Sequence, residues 1–287
     1  MRRTVAETGT VRWSSYAADY DLLAEHNPHY QALLHRVRSW VAQAALRPGA
    51  TFIDLGGGTG NVALCLAQAR PDCQVVLMDT DGESLRRARE KCDALGVRNL
   101  DLHQRDMSDL AWLGGGSAEP RLFLCIHALY LAGAPGETDK PRQILQAVRA
   151  AMRPGDWLLI FDIGRPIPLL RWGVAMAWQV VRREGIAALH RGWRATRHAR
   201  AANRAIVHMQ RRGQCLTHDL AGFLALLQRS GLPPEWIVEA SEAWFGGIDS
   251  SVLLHRPPVG KGRGSDSSRR VEFSPPDATG GRMASAR

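Results

Sequence analysis

Cysteine is sparse and scattered in this chain: the five residues Cys65, Cys73, Cys92, Cys125 and Cys215 form no CxxC pair. That spacing argues against a zinc site, an iron–sulfur site or a disulfide framework, and makes a reduced cytoplasmic setting the expectation. The opening MRRTVAETGT has no apolar run of the kind a secretory leader carries. There is no internal repeat. The longest apolar stretch outside the strands, Ile167 to Val181, is interrupted by Arg171 and falls short of the roughly 20 residues that span a bilayer. Lysine is scarce, at 3 of the 37 basic residues, so the basic character is almost wholly arginine.

The basic character is also local. The chain carries a formal charge of +9, yet residues 165–212 alone hold 11 Arg and one acid. Everything outside that segment and the basic last thirty residues is therefore mildly acidic. A global charge reading as a nucleic-acid binder loses most of its force, and the basic segment becomes the feature to explain.

At 287 residues and 45% hydrophobic content the chain can bury one sizeable core with an appendage or tail. From Tyr30 to Ala44 apolar residues recur at helical spacing, and Pro48-Gly49 stops the pattern. Strand-like runs then alternate with helical ones: TFIDL, CQVVLMD, NLDLHQRD, RLFLCIH and DWLLIFDI. The order predicts a parallel sheet covered on both faces. Past residue 165 the alternation stops. The arginine-rich segment reads as helical, and Thr217 is expected to cap a helix through Leu227. WIVEASEAW and SSVLLHRP then form a hairpin around Gly246-Gly247, and the remainder reads as a disordered tail.

The organising stretch is Phe52 to Asn61, FIDLGGGTGN. A strand, a tight glycine turn and a helix N-terminus in that order build a ligand pocket. A dinucleotide fingerprint would need Gly or Ala where Asn61 stands. What is present is Asp54 two residues before Gly56, with Gly58 and Gly60 following. A carboxylate there suits an amino group and would repel a pyrophosphate. Asp79 ends the next strand, where a ribose diol is usually held, and Asp106 ends the third, where it could accept from an adenine amino group. A ligand with an ammonium, a ribose and an adenine but no phosphate fits these acids, and S-adenosylmethionine is that ligand. Plainer roles stay open: a turn for Asp54 and the glycines, a helix cap for Asp79, a shifted register for Asp106, core packing for Met107.

With these residues the sequence resembles the class I S-adenosylmethionine-dependent methyltransferases, small-molecule type 11/25-like members in particular, over roughly residues 16–257. DLGGGTG, VVLMDTD, QRDMSDL, AMRPGDWLLIFD and THDLAGFLALLQRSGL match that family's elements in order. The resemblance implies a Rossmann-like seven-stranded αβα sandwich with an antiparallel last strand and a helical insertion after strand five. It implies that Gly56, Gly58 and Gly60 lie along the methionine and ribose, Asp79 on the ribose hydroxyls, and Asp106 with Met107 at the adenine. His127 would lie beside the methionine, and Tyr16 and Tyr20 resemble the family's lid tyrosines. The domains expected are a helical lid over 1–50, the methyltransferase domain over 51–257 with its insertion at 165–212, and a tail over 258–287.

His127, at the mouth of strand four, is the candidate general base, or else a hydrogen-bonding partner of the cofactor. Asp162, ending strand five, is expected to orient substrate or to cap. No N/D-P-P-Y/F tetrad follows strand four, which tells against methylation of exocyclic amino groups, and no CxxxCxxC cluster serves radical chemistry. No metal is expected. The insertion sets an apolar, tryptophan-bearing helix beside an arginine-rich one, which suits a lid over a greasy substrate or a peripheral contact at the inner membrane face. Its alternatives are a solvated helical cap and a nucleic-acid surface. The function expected is methyl transfer to a small hydrophobic acceptor, possible at a membrane surface. The alternatives are an RNA methyltransferase and a non-catalytic S-adenosylmethionine-binding protein.

Overall fold

Seven strands carry the fold: β1 (Thr51–Leu55), β2 (Gln74–Asp79), β3 (Leu100–Gln104), β4 (Arg121–Ile126), β5 (Trp157–Ile163), β6 (Ile237–Ser241) and β7 (Asp249–His255). They form one sheet in the order β3-β2-β1-β4-β5-β7-β6. β1 to β5 pair in parallel, and β7 runs antiparallel to both β5 and β6. The computed structural model describes residues 13–43, 46–115, 119–133, 137, 139–242 and 248–258. Apart from Pro258, the tail expected over 258–287 lies outside them, as does the Gly246-Gly247 turn.

Alternation along each strand sorts the core into two layers. Ile53, Leu55, Phe123, Cys125, Leu158 and Ile160 face one side, against Ile144, Leu145 and Val148 of α5 (Lys140–Ala151) and Phe223 and Leu227 of α9 (Leu220–Arg229). The intervening Phe52, Leu77, Leu122 and Leu124 are fully buried on the other. There α3 (Asn61–Ala69) and α4 (Gly82–Leu95) pack on β1, β2 and β3. Parallel strands buried on both faces need apolar residues at nearly every position, and β4 is buried from end to end. At its first residue, Arg121 forms a buried ion pair with Asp156, Nη2 to Oδ2 at 2.7 Å.

Two helices precede the sheet, α1 (Trp13–His26) and α2 (Pro28–Gln43). Asn27 joins them by accepting hydrogen bonds from the N–H groups of His29 and Tyr30. Most of the insertion is helical: α6 (Leu169–Glu184), α7 (Ala188–Ala195) and α8 (Arg197–Arg211). One expectation is corrected. Asp219, not Thr217, caps α9, its Oδ1 accepting from the Gly222 N–H at 2.8 Å. A carboxylate two residues further on is the better acceptor for the exposed N–H groups of the first turn.

Candidate functional site

β1 connects toward β2 and β3 on one side, while β4 and β5 lie on the other. The crevice beyond the C-terminal ends of β1 and β4 is thus the switch point of a doubly wound sheet, where ligands bind in such folds. A cavity of about 510 Å³ opens there. That lies within the range of roughly 300–1,000 Å³ common for small-molecule sites.

The β1–α3 turn forms its floor. Gly56, Gly58 and Gly60 all have positive φ, at 68°, 55° and 80°. A side chain at Gly56 would strike Ala128 and the Met107 sulfur, at 2.8 and 2.9 Å, whereas one at Gly58 would meet nothing within 4 Å. Gly58 lines the cavity, so that open space is room for a ligand against the backbone. Gly60 does not line it. It caps α3 and packs against Leu77 and Ala88 of the next β–α unit.

The three expected acids all line the cavity, in different electrostatic settings. Asp54 is buried, and its Oδ2 accepts no hydrogen bond from any described residue. Burial, and then the charge of Asp79, push its carboxyl up to about 7 against a hydrogen bond from the Ala63 N–H. Asp79 takes the Gly58 N–H on Oδ2 and the Asp81 N–H on Oδ1, both at 2.8 Å, which fixes its plane between the glycine turn and α4. The cap of α4 is Asp81, which accepts from the Ser84 N–H. A carboxylate offers about four acceptor sites, so Asp79 keeps acceptor capacity for a diol. Asp106 accepts from the Ser108 N–H at 2.8 Å and pairs with Lys140 Nζ at 2.9 Å. Burial raises its pKa, but the Ser108 hydrogen bonds and the Lys140 ammonium outweigh that and hold it below the ordinary value.

All four tyrosines of the sequence, Tyr16, Tyr20, Tyr30 and Tyr130, line this one cavity. Burial raises the pKa of each, so they stand as neutral phenols. Tyr20 packs between Tyr16 and Tyr30, with ring centroids 5.2 and 6.0 Å away. α1 is fastened over the site at several points. Asp21 accepts from Thr59 Oγ1 of the glycine turn at 2.6 Å and pairs with Lys91 of α4 at 3.0 Å. Asp19 accepts from the His198 and Ala199 N–H groups at the start of α8, and His26 meets Glu184 at the end of α6 at 2.6 Å.

His127 follows β4 with φ of 54°, the one positive-φ residue other than glycine among those described. A non-glycine residue there is uncommon and frequently functional. Its N–H donates to the Phe161 carbonyl at 2.7 Å, the residue lines the cavity, and its buried Nε2 lies 3.7 Å from Asp249 Oδ2. Asp162 does not line the cavity. It is fully buried and accepts from the Tyr130 N–H at 3.0 Å, with His218 Nε2 at 3.1 Å, so it shapes the wall behind Tyr130.

Five carboxylates line the cavity, on Asp54, Asp79, Asp81, Asp106 and Glu137, against the single ammonium of Lys140. That balance favours a cationic ligand and disfavours a phosphate. An orphaned buried carboxylate oxygen on Asp54, open space at Gly58 and an oriented diol acceptor at Asp79 together fit S-adenosylmethionine. Among the described residues no group of three or more His, Cys, Asp or Glu could hold a metal. Periodicity could not have singled out Tyr30, Tyr130 and Lys140, which reach the cavity through the packing of helices and turns, nor Asp249, which stands beside His127.

Residues 46–167 match a family model described as a methyltransferase domain. The chain is 30% identical over 161 residues to the ubiquinone/menaquinone biosynthesis C-methyltransferase UbiE of Francisella tularensis subsp. novicida, covering 54% of this chain and 60% of that protein. It is 37% identical over 83 residues to a glutathione S-transferase C-terminal domain-containing protein of Xenopus laevis, covering 29% of this chain but 13% of that one. The chain thus spans less than two thirds of either relative. Among solved structures, a putative S-adenosyl-L-methionine-dependent methyltransferase from Methanococcus maripaludis superposes with a TM-score of 0.57 at 11% identity, over 91% of this chain and 99% of that one. An O-methyltransferase family protein from Burkholderia thailandensis gives 0.52 at 14% identity, over 80% and 57%. At these identities the superpositions speak for the Rossmann-like fold.

Proposed function

We propose that this chain, whose residues 46–167 match a methyltransferase-domain model, is a class I S-adenosylmethionine-dependent methyltransferase that methylates a small hydrophobic acceptor. The observation that carries the proposal is the make-up of the cavity. Beside the acidic glycine turn the lining carries the apolar side chains of Leu23, Val62, Ile163, Ile167, Trp172 and Met176.

Bound S-adenosylmethionine supplies a methyl group already activated on a sulfonium. The chain's own work is then binding, alignment and exclusion of water. Asp79 holds a diol, Asp54 receives an ammonium, and Asp106 with Met107 borders the adenine. The tyrosines and the fastened α1 keep the cavity dry. His127 takes the proton from an acceptor that must lose one, a contribution of about 10²–10⁴ in rate for a placed base.

An RNA acceptor would draw arginines of the insertion to the cavity. The insertion residues that line it are Ile167, Trp172, Met176 and Asn203, with no arginine among them. The similarity to a protein named for ubiquinone and menaquinone biosynthesis also favours a lipid-soluble acceptor. A tritiated-methyl assay over lipid extract, total RNA and small metabolites tests the reading. Label is expected in the lipid extract or apolar metabolites; label confined to RNA would overturn it.

A further inference from the structure

The surface of α6 and α7 presents apolar side chains to solvent in a pattern the fold does not use. Seven large hydrophobic residues are exposed among those described, and five fall in one stretch of two dozen residues: Leu170, Val174, Trp178, Ile186 and Trp193. The first three are spaced four apart on α6 and are 84%, 63% and 67% exposed, one solvent-facing stripe. Single exposed apolar residues need no explanation, but a contiguous stripe marks an interaction surface.

The opposite face of the same helix is the cavity wall. Trp172 and Met176, half a turn round from the stripe, line the cavity. One helix thickness therefore separates the place where the acceptor is held from the exposed stripe.

The chemistry around the stripe names its occupant. Arg171, Arg182, Arg183, Arg191, Arg194 and Arg197 are exposed in the same segment. The one acid there, Glu184, is engaged by His26 at 2.6 Å. Tryptophan and aliphatic residues with arginines at their border suit a bilayer interface, with rings at headgroup depth and guanidinium groups on anionic phosphates. No described helix is long and apolar enough to cross a membrane. We infer that the α6–α7 surface docks this protein on an anionic phospholipid bilayer, and so brings the cavity to an acceptor dissolved in the lipid. This deepens the proposed function and rests on it for the purpose of the contact, though binding to the bilayer is read without methyl transfer.

The test is sedimentation of the full chain with phosphatidylcholine vesicles, with and without phosphatidylglycerol. Alongside it, calorimetric binding of S-adenosylmethionine is measured on the same preparations. The wild-type protein should pellet with the phosphatidylglycerol vesicles and be released by high salt. Leu170→Ser/Val174→Ser/Trp178→Ser should reduce vesicle partitioning at least about tenfold, and Arg182→Ser/Arg183→Ser/Arg191→Ser/Arg194→Ser should do likewise. Both variants change exposed side chains and should keep cofactor binding. Wild type remaining in the supernatant, or a stripe variant that pellets as well as wild type, overturns the inference. So does a dimer in light scattering that the stripe substitutions abolish, or RNA retention without vesicle binding; these assign the surface to a second copy or to RNA. Loss of S-adenosylmethionine binding in the wild type would instead strike the proposed function and leave the vesicle result standing.

Discussion

The imidazole of His127 and the carboxylate of Asp249 face each other across the end of the sheet, with Nε2 and Oδ2 3.7 Å apart. Asp249 pairs with Ile163 at the first rung of the β5–β7 ladder. It is buried, and neither of its oxygens accepts a hydrogen bond from a described residue. A buried carboxylate without hydrogen bonds is costly, and the His127 imidazole is the polar ring that faces it. In the proposed function, where His127 is the base, Asp249 is the group that positions its ring.

Substituting His127 should separate chemistry from binding. His127→Asn keeps a residue type that tolerates the left-handed backbone and removes the imidazole. The methyl-transfer rate should fall by about 10²-fold or more for an acceptor that loses a proton, while calorimetric affinity for S-adenosylmethionine changes only a few-fold. Asp249→Asn should lower kcat less than that and displace the pH–rate profile. A profile that coincides with wild type would leave Asp249 a purely structural role.

Asp79 offers the sharpest binding test. Both oxygens are held by backbone N–H groups, so the carboxylate is fixed at the cavity wall before a ligand arrives. Asp79→Ala should weaken S-adenosylmethionine by roughly 2–4 kcal/mol, the scale of two hydrogen bonds to a charged acceptor. Calorimetry reads the constant directly. An unchanged affinity would remove Asp79 from the site.

The glycine turn permits a paired experiment. Gly56→Ala drives a methyl group into the Ala128 side chain and the Met107 sulfur, so stability should fall by several kcal/mol. Gly58→Ala meets no atom within 4 Å and adds only left-handed strain, about 1–2 kcal/mol. Its methyl group occupies ligand space, so cofactor affinity should fall more than tenfold while the melting temperature shifts modestly. Equal effects of the two substitutions on melting and binding would contradict the assignment.

These residues also mark how far the sequence could be read. Glycine turns and strand-end carboxylates are local chemistry, so Asp54, Gly58, Asp79 and Asp106 stood out without coordinates. Asp249 did not, because it reaches His127 only through the antiparallel reversal that sets the start of β7 against the end of β5. Tyr30 reads as one more apolar position of α2, and its place in the cavity depends on how α2 packs against α1 and α3. Lys140 begins a helix whose approach to Asp106 depends on the β4–α5 connection. The α6 helix was legible as apolar and basic, but which face would be buried was set by tertiary packing.

Asp54 carries the pH dependence. Its folded-state carboxyl, pushed up to about 7, lies above the 3.8 of an ordinary aspartate, with burial the main cause. As pH rises from about 4 toward 7, the unfolded chain gives up this proton before the folded chain does. Stability of the ligand-free protein should therefore fall across that window and level off above it. Denaturant titrations at several pH values measure the slope, and Asp54→Asn should flatten it. An ammonium held beside Asp54 favours the carboxylate, so S-adenosylmethionine should bind with release of a proton below about pH 7, and more tightly as pH rises to that point. Calorimetry in buffers of different ionisation heat counts that proton. If Asp54→Asn releases as much as wild type, the ammonium is held elsewhere.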